Sequence, residues 1–230
     1  MVADSGFRDM PRHIRGFKAP RCPRCWMLID YCVCALMPRL SNRVPVQLIM
    51  QWKESGRSSN TGRLVKQVLE QCDIHLRGRP GQPFTGESLL GAGRQGLLLY
   101  PGDGVEILQA DMLDDPDKIV LVVPDGTWRW SRRLWSHEPV LRKLRRVMLP
   151  PGPPSIYRLR REREAAHLCT YEAVARALGL VEGPELENAM MAPFPEVVER
   201  TMKARGRLRK DGSPAGNGLA NDDGQCEGGG

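Results

Sequence analysis

A run of five branched apolar residues followed by a short polar loop stands midway along the chain: Ile119-Val120-Leu121-Val122-Val123-Pro124-Asp125-Gly126-Thr127-Trp128. Such continuous runs are typical of strands buried on both faces, as in parallel sheets. We expect Pro124 to end the strand and Gly126 to adopt backbone torsions that other residues avoid. The loop then places an acid, a hydroxyl and an indole at the carboxyl end of a buried strand, where open α/β sheets bind ligands.

This stretch of sequence by itself allows two interpretations of the loop. Asp125, Gly126, Thr127 and Trp128 can belong to an active site. Alternatively, Asp125-Gly126 is an ordinary turn and Trp128 is a core residue of the following helix. The rest of the chain decides between them.

Strands and helices alternate around this central strand. We expect a helix that begins at Asn60 or Thr61 and runs through Cys72, and a later helix that Thr170 caps, with Glu172 in its first turn. Further strands are predicted at residues 44–50, 73–76, 97–100 and 146–149. This alternation indicates an α/β domain, residues 41–209, with a mainly parallel sheet.

Composition limits the classes of protein to consider. A chain of 230 residues can bury a sizeable core without help. No apolar run approaches membrane-spanning length and the N-terminus lacks a signal-type apolar segment, so we expect a cytoplasmic protein with no membrane partner. Residues 1–20 are predicted to be a mobile arm, and residues 210–230, Gly-rich and polar, a disordered tail.

Four of the seven cysteines lie close together near the start of the expected folded region. Cys22 and Cys25 form a C-x2-C pair, and Cys32 and Cys34 follow after a short gap. Four thiolates at this spacing suit tetrahedral zinc and close its coordination shell, so we expect a structural four-cysteine zinc module over residues 21–40. The alternative is a cluster of small buried cysteines without a metal.

The net charge of +7 is unevenly placed. Between residues 129 and 163 there are eleven Arg or Lys and two acids, Glu138 and Glu162. Such an excess favours a nucleic-acid partner, because a guanidinium group offers paired donors to a phosphate; the alternative is a solvated surface that keeps the protein soluble. The arginines expected to contact RNA are Arg129, Arg132, Arg133, Arg160 and Arg161.

Several separated stretches, in order over residues 20–180, resemble one family, the DTW-domain proteins. These stretches are the four cysteines, Glu54 with Ser59-Asn60-Thr61-Gly62-Arg63-Leu64, Tyr100-Pro101, Asp125-Gly126-Thr127-Trp128, Tyr157-Arg158-Leu159-Arg160, and Cys169-Thr170-Tyr171-Glu172-Ala173. Many family members carry His-Pro-x-Glu in the first loop. This chain has Gln51-Trp52-Lys53-Glu54 instead, so any role for that imidazole is absent here.

The resemblance implies a SPOUT-like α/β fold in which the chain forms a deep trefoil knot. It also implies that S-adenosylmethionine gives its 3-amino-3-carboxypropyl group, not its methyl group, to N3 of a uridine in tRNA, with 5'-methylthioadenosine as the by-product. The cofactor-site residues that it implies are Tyr100, Pro101, Asp125, Gly126, Thr127, Trp128, Tyr157, Arg158, Thr170 and Glu172.

Within that reaction, Asp125 is the expected general base for uridine N3, and its alternative roles are to bind the donor's ammonium group or to orient the nucleotide. Arg158 or Arg160 is expected to hold the donor carboxylate or a tRNA phosphate. Two other activities share much of the same pattern. One is a SPOUT-type RNA methyltransferase, and the other is a zinc-bearing RNA-binding protein without catalysis.

Overall fold

A computed structural model describes residues 19–82, 84–91, 93–112, 115–157 and 168–208. The strands in this part of the chain are β1 (Val46–Gln51), β2 (Cys72–Arg77), β3 (Gln95–Leu99), β4 (Glu106–Ile107), β5 (Ile119–Asp125) and β6 (Arg145–Met148). The α-helices are α1 (Trp52–Ser55), α2 (Gly62–Val68), α3 (Trp128–His137), α4 (Pro139–Arg142), α5 (Thr170–Glu182), α6 (Pro184–Met191) and α7 (Phe194–Ala204).

The six strands form one parallel sheet in the order β2-β1-β5-β3-β6-β4. β5 lies between β1 and β3, which explains its continuous apolar run. Ile119, Leu121 and Val123 pack into one core, whereas Val120 and Val122 pack into the core on the opposite face. The predicted α/β fold with a parallel sheet and flanking helices is therefore confirmed.

Pro124 does not end the central strand, contrary to the expectation from sequence. The strand continues to Asp125, and β1 pairs beside it up to Met50, which lies opposite Asp125. Proline lacks a backbone donor, but its fixed torsion is compatible with extended backbone. Asp125 is therefore the last residue of a buried strand rather than a loop residue.

Two further differences concern short elements. The helix predicted through Cys72 ends at Val68, because Leu69 pairs with Leu40 in an isolated bridge and β2 already begins at Cys72. α1 and β4 were not predicted, since elements of four and two residues are too short to show a periodic pattern.

Helices cover the sheet on both faces. Leu134 of α3 and Leu141 of α4 pack in the smaller core, while α2, α5, α6 and α7 contribute to the larger one. The cysteine segment shares that larger core through Met27 and Val33. Within the described ranges, none of the helices has the length and apolar character needed to cross a membrane.

Truncation of a side chain in the sheet centre tests this packing. Leu48 of β1 is fully buried, so Leu48→Ala should lower the free energy of unfolding by about 2–5 kcal/mol through lost burial and a residual cavity. Ile107 lies on the edge strand β4 and is partly exposed, so Ile107→Ala should cost less than about 1 kcal/mol. Urea unfolding measures both, and equal losses would contradict the strand order.

Candidate active site and metal centre

The carboxyl ends of the parallel strands lie along one edge of the sheet, and the loops that follow them carry the motif residues. Asn60 follows β1, Tyr100 follows β3, Thr127 follows β5 and Tyr157 follows β6. Because β3 and β5 are paired neighbours, their loops border the same region. The rings of Tyr100 and Trp128 lie 6.1 Å apart between centroids, so these two loops meet.

Asp125 is the point where three separate segments meet. Its side chain is 0% exposed. Asn60 Nδ2 donates to one carboxylate oxygen and Thr170 Oγ1 to the other, each at 2.6 Å. Gly62 lies against the same carboxylate so closely that a Cβ atom would overlap it. The loop after β1, the end of β5 and the start of α5 are thus joined through one buried acid, whose lone pairs are satisfied as burial requires.

Asn60 also shapes the helix that follows it. Its Oδ1 accepts a hydrogen bond from the backbone nitrogen of Arg63 at 3.2 Å, although the N-cap position itself is Thr61, whose side chain makes no capping hydrogen bond. Thr61 accepts a hydrogen bond from the backbone nitrogen of Tyr171 at 3.3 Å. The first turns of α2 and α5 are therefore linked directly as well as through Asp125.

Thr170 does not cap α5 as expected. Cys169 occupies the N-cap, and Glu172 completes a capping box by accepting a hydrogen bond from the Cys169 backbone nitrogen at 2.9 Å. This arrangement leaves the Thr170 hydroxyl free to donate to Asp125. The pattern at the helix start allowed either residue as the cap, so sequence reasoning placed it one position too late.

Glu172 and Tyr157 hold the loop after β6 in place. Glu172 is buried and accepts hydrogen bonds from Ser155 Oγ at 2.6 Å and from the backbone nitrogen of Ile156 at 2.8 Å. The Tyr157 hydroxyl donates to the backbone oxygen of Ser59 at 2.7 Å. In this structure both motif residues make contacts inside the protein that connect the loops after β1 and β6 to α5.

The loop after β5 is built around the start of α3. Thr127 Oγ1 accepts a hydrogen bond from the Trp130 backbone nitrogen at 3.2 Å and caps the helix. Gly126 does not have a positive φ, contrary to expectation; it is needed because a Cβ atom would overlap the Trp130 ring. Trp128 is 40% exposed, so it is not a core residue of α3.

The predicted RNA-contacting arginines fall into two groups. Arg129, Arg132 and Arg133 are exposed on α3, while Trp130 and Trp135 of the same helix pack against the smaller core. Three residues singled out from the sequence, Arg158, Arg160 and Arg161, lie outside the described residues.

The four predicted cysteine ligands lie together. Their Sγ atoms are all within 4.8 Å of one another, with 3.6 Å between Cys22 and Cys34 and 3.7 Å between Cys25 and Cys32. Zinc–sulfur bonds of about 2.3 Å in a tetrahedron require sulfur–sulfur separations of about 3.8 Å. The cysteine geometry therefore fits a zinc site with four thiolate ligands.

Gln67 on α2 gives an independent test of that fit. Its Oε1 lies 3.4 Å from Cys34 Sγ, and its Nε2 is buried with no hydrogen-bond partner among the described residues. Turning the amide over exchanges its oxygen and nitrogen. A metal-bound thiolate has no proton and accepts hydrogen bonds, so the turned amide would donate to Cys34 and satisfy the buried nitrogen. The environment thus suits a metal-bound thiolate.

The thiols differ in acidity. Burial raises the pKa of Cys25 and Cys34. Burial also acts to raise the pKa of Cys22, but hydrogen bonds from the backbone of Cys25 and Arg24 and from neighbouring thiols outweigh it and lower that pKa to about 7. Cys22 is therefore the thiol most readily deprotonated before a metal binds.

Arg63 lies between the cysteines and Asp125. It is only 2% exposed, and its guanidinium carbon is 5.4 Å from the centre of the Trp26 ring. Burial lowers the pKa of Arg63 to about 10, and the negative charges of Cys25, Asp125 and Cys22 act in the opposite direction. A buried cation thus lies near both the cysteine cluster and Asp125.

Sequence reasoning assigned no individual role in the site to several of these residues. Asn60 was expected only as a helix cap, and Gly62 and Arg63 were quoted only as part of a motif. Gln67 and Ser155 carried no pattern at all. The signal for the first three was their position between a strand and a helix, in a motif whose polar members Asn60, Thr61 and Arg63 prove to be buried.

Removal of one metal ligand tests the four-cysteine site. We expect the purified protein to hold about one zinc per chain, and Cys25→Ala to lose it, because three thiolates leave the coordination shell open. Elemental analysis measures the zinc content of wild type and Cys25→Ala, and thermal unfolding shows whether each is folded. Cys72→Ala is the matched control, since Cys72 is equally buried but lies outside the cluster, and it should keep the zinc. Equal zinc content in wild type and Cys25→Ala would contradict the assignment.

Comparison with known proteins gives consistent results. The chain is 28% identical over 187 residues to tRNA-uridine aminocarboxypropyltransferase 2 of Drosophila melanogaster. The matched region covers 76% of this chain and 72% of the Drosophila protein. The proteins of the same name from Macaca fascicularis and Mus musculus are 26% identical over 171 residues and 27% identical over 173 residues. These two matches cover 72% of this chain but only 57% of each mammalian protein. No solved structure matches the chain significantly.

A family model described as the DTW domain matches residues 19–202. This range includes the cysteine cluster, Asp125 and the start of α5, so it spans every contact described above. The chain belongs to the DTW domain family.

Proposed function

We propose that the protein transfers the 3-amino-3-carboxypropyl group of S-adenosylmethionine to N3 of a uridine in tRNA and releases 5'-methylthioadenosine. The observation that carries the proposal is that motif residues of the DTW domain, from separate parts of the chain, meet at the carboxyl edge of a parallel sheet around Asp125. The name shared by the relatives supports both the reaction and the tRNA substrate.

The proposed reaction is a substitution at carbon. Uridine N3 loses its proton and attacks the carbon of the aminocarboxypropyl chain that is bonded to sulfur. A nitrogen–carbon bond forms, the carbon–sulfur bond breaks, and its electron pair leaves with sulfur, which becomes a neutral thioether. The leaving group therefore needs no acid. The protein must accept one proton and hold the correct carbon next to N3 rather than the methyl carbon.

We assign the proton transfer to Asp125, with Thr170 as the group that connects it to the nucleotide. A general base must lie within hydrogen-bonding reach of the proton that it takes, and Asp125 has no exposed surface. The Thr170 hydroxyl already donates to Asp125 at 2.6 Å. Its oxygen can accept the uridine proton while its own proton passes to the carboxylate, so that charge and atoms balance without exposing Asp125.

Donor binding is assigned to the loops that flank Asp125. The exposed indole of Trp128 beside Tyr100 supplies an aromatic face for adenine or the sulfonium, and Pro101, Gly126 and Thr127 complete this side. Tyr157 and Glu172 hold the loop after β6 in place through hydrogen bonds within the protein. Arg158 or Arg160 remains the proposed partner of the donor carboxylate or of a tRNA phosphate. Zinc would hold the cysteine segment against α2, where it supplies structure rather than chemistry.

We also propose that the sheet is SPOUT-like and that the chain forms a trefoil knot. The support is a parallel sheet in which a later strand, β5, lies between β1 and β3.

Substitutions at Thr170 test the proposed proton path. Thr170→Val keeps the shape but removes the hydroxyl, so kcat should fall by roughly 100-fold or more, in the range of general-base contributions. Thr170→Ser keeps the hydroxyl and should stay within about tenfold of wild type. Asp125→Asn should be at least as inactive as Thr170→Val. Mass spectrometry of nucleosides from unmodified tRNA incubated with S-adenosylmethionine measures the product.

The same measurement separates the alternatives. A uridine that carries the aminocarboxypropyl group supports the proposal. A methylated uridine would replace it with a methyltransferase, and tight tRNA binding without any new nucleoside would indicate a binding protein. Full activity in Thr170→Val would remove Thr170 from the proton path while leaving the reaction itself in place.

Alanine substitutions on α3 test the RNA interface. Arg132 and Arg133 are exposed on α3, the helix that follows the loop after β5, so each substitution should weaken tRNA binding and lower the slope of log affinity against log salt by about one. Arg43 lies just before the amino end of β1, whereas the site lies at the carboxyl ends of the strands. Arg43→Ala should therefore leave the salt dependence of tRNA binding unchanged. An equal effect of all three would contradict a specific interface.

A further inference from the structure

Arg63 is a buried cation for which the proposed reaction has no use. It stands in the first turn of α2 and is among the largest fully buried side chains of the described residues. A buried guanidinium is costly unless negative charge lies nearby. Its position therefore calls for anionic groups nearby, and the helix that carries it contacts two such groups.

The first neighbour is the cysteine cluster. Arg63 and Gln67 are four residues apart on α2, so both point toward the same neighbour, and Gln67 contacts Cys34. The guanidinium also stacks on Trp26, which directly follows Cys25. Trp26 has a φ of 63°, a left-handed conformation that is unusual for a bulky residue and that holds the indole over Arg63.

The second neighbour is Asp125. Gly62, adjacent to Arg63, packs directly on the Asp125 carboxylate, and Asn60 donates a hydrogen bond to it. The Arg63 backbone nitrogen is in turn bonded to Asn60. The turn that carries Arg63 is therefore the same turn that positions Asp125.

We propose that Arg63 is a positioning residue shared by the two sites, so that occupancy of the four-cysteine site fixes the first turn of α2 and, through it, Asp125. A zinc ion with four thiolates carries a net negative charge, which attracts the guanidinium from one side while Asp125 attracts it from the other. Loss of the metal removes the cross-link that holds the cysteine segment, with Trp26 over Arg63, against α2. The metal site then conditions activity without touching a substrate.

The zinc affinity of the full chain tests this link without reference to activity. Competition with a chromogenic zinc chelator gives the affinity of wild type, Arg63→Met, Arg63→Lys and Gln67→Ala. Arg63→Met should bind zinc roughly 10- to 100-fold more weakly, as substitutions beside metal ligands do. Arg39→Met is the control, because Arg39 also contacts α2, through the Lys66 carbonyl, but is exposed, and it should bind zinc as wild type does.

The second measurement is kcat for nucleoside formation at saturating zinc, and this arm rests on the proposed function. The Gln67 side chain contacts Cys34 and has no hydrogen bond to the turn at Asp125 in the part of the chain that the structure describes, so Gln67→Ala should bind zinc more weakly yet regain the wild-type kcat when zinc saturates it. Arg63→Met should keep a kcat reduced by about tenfold or more even when saturated, because the turn of α2 that positions Asp125 has lost its buried side chain. Arg63→Lys keeps a positive charge but not the paired donors of a guanidinium group, so its zinc affinity and its kcat should both fall by less than those of Arg63→Met.

Each outcome bears on the inference. A folded Arg63→Met with wild-type zinc affinity, or with wild-type kcat at saturating zinc, would overturn it. If circular dichroism shows that Arg63→Met does not fold, Arg63→Lys is the deciding variant. A decrease in its zinc affinity alone, or in its kcat alone, would overturn the shared role. If the wild-type protein forms no nucleoside product, the proposed function fails, while the zinc affinities still test the link between Arg63 and the metal.

Discussion

The buried carboxylate of Asp125 is the interaction on which the site depends. It ends the central strand, and its two oxygens accept hydrogen bonds from Asn60 and Thr170, which belong to segments 65 and 45 residues away along the chain. Hydrogen bonds to a charged group contribute about 1.5–3 kcal/mol each, and an unpaired buried carboxylate is strongly unfavourable. The loop after β1 and the start of α5 are therefore held where the loops after β3 and β5 meet.

The second constraint is the position of α2. This helix of seven residues contacts Asp125 through Gly62 in its first turn and Cys34 through Gln67 in its last turn. The cysteine segment shares the large core with the helices behind the sheet, and Arg200 of α7 donates to the Cys32 carbonyl at 2.7 Å. A metal bound there would stabilise one side of the proposed active site as well as its own loop, and the proposed link would give a structural zinc a functional consequence.

The sequence predicted the sheet well because β5 is buried on both faces, and only a continuous apolar run satisfies that position. The cysteine cluster was also predictable, since its spacing is local. The contacts of Asp125 were not, because Asn60 and Thr170 approach it only after folding. Thr170 was expected as a helix cap; Cys169 takes that place, and no local pattern distinguishes the two. Pro124 was wrongly expected to end β5, since proline also tolerates extended backbone.

Hydrogen exchange measured by mass spectrometry on Asp125→Asn tests the central claim most directly. An asparagine offers one acceptor and one donor, so the Thr170 hydroxyl must turn from donating to accepting, and both hydrogen bonds lose the strength that a carboxylate acceptor gives them. If Asp125 joins the segments, backbone amides in residues 61–65 and 170–174 should both exchange faster than in wild type, while β2 at the far edge stays protected. Faster exchange confined to the end of β5, with both segments unchanged, would contradict the claim that one carboxylate holds this site together.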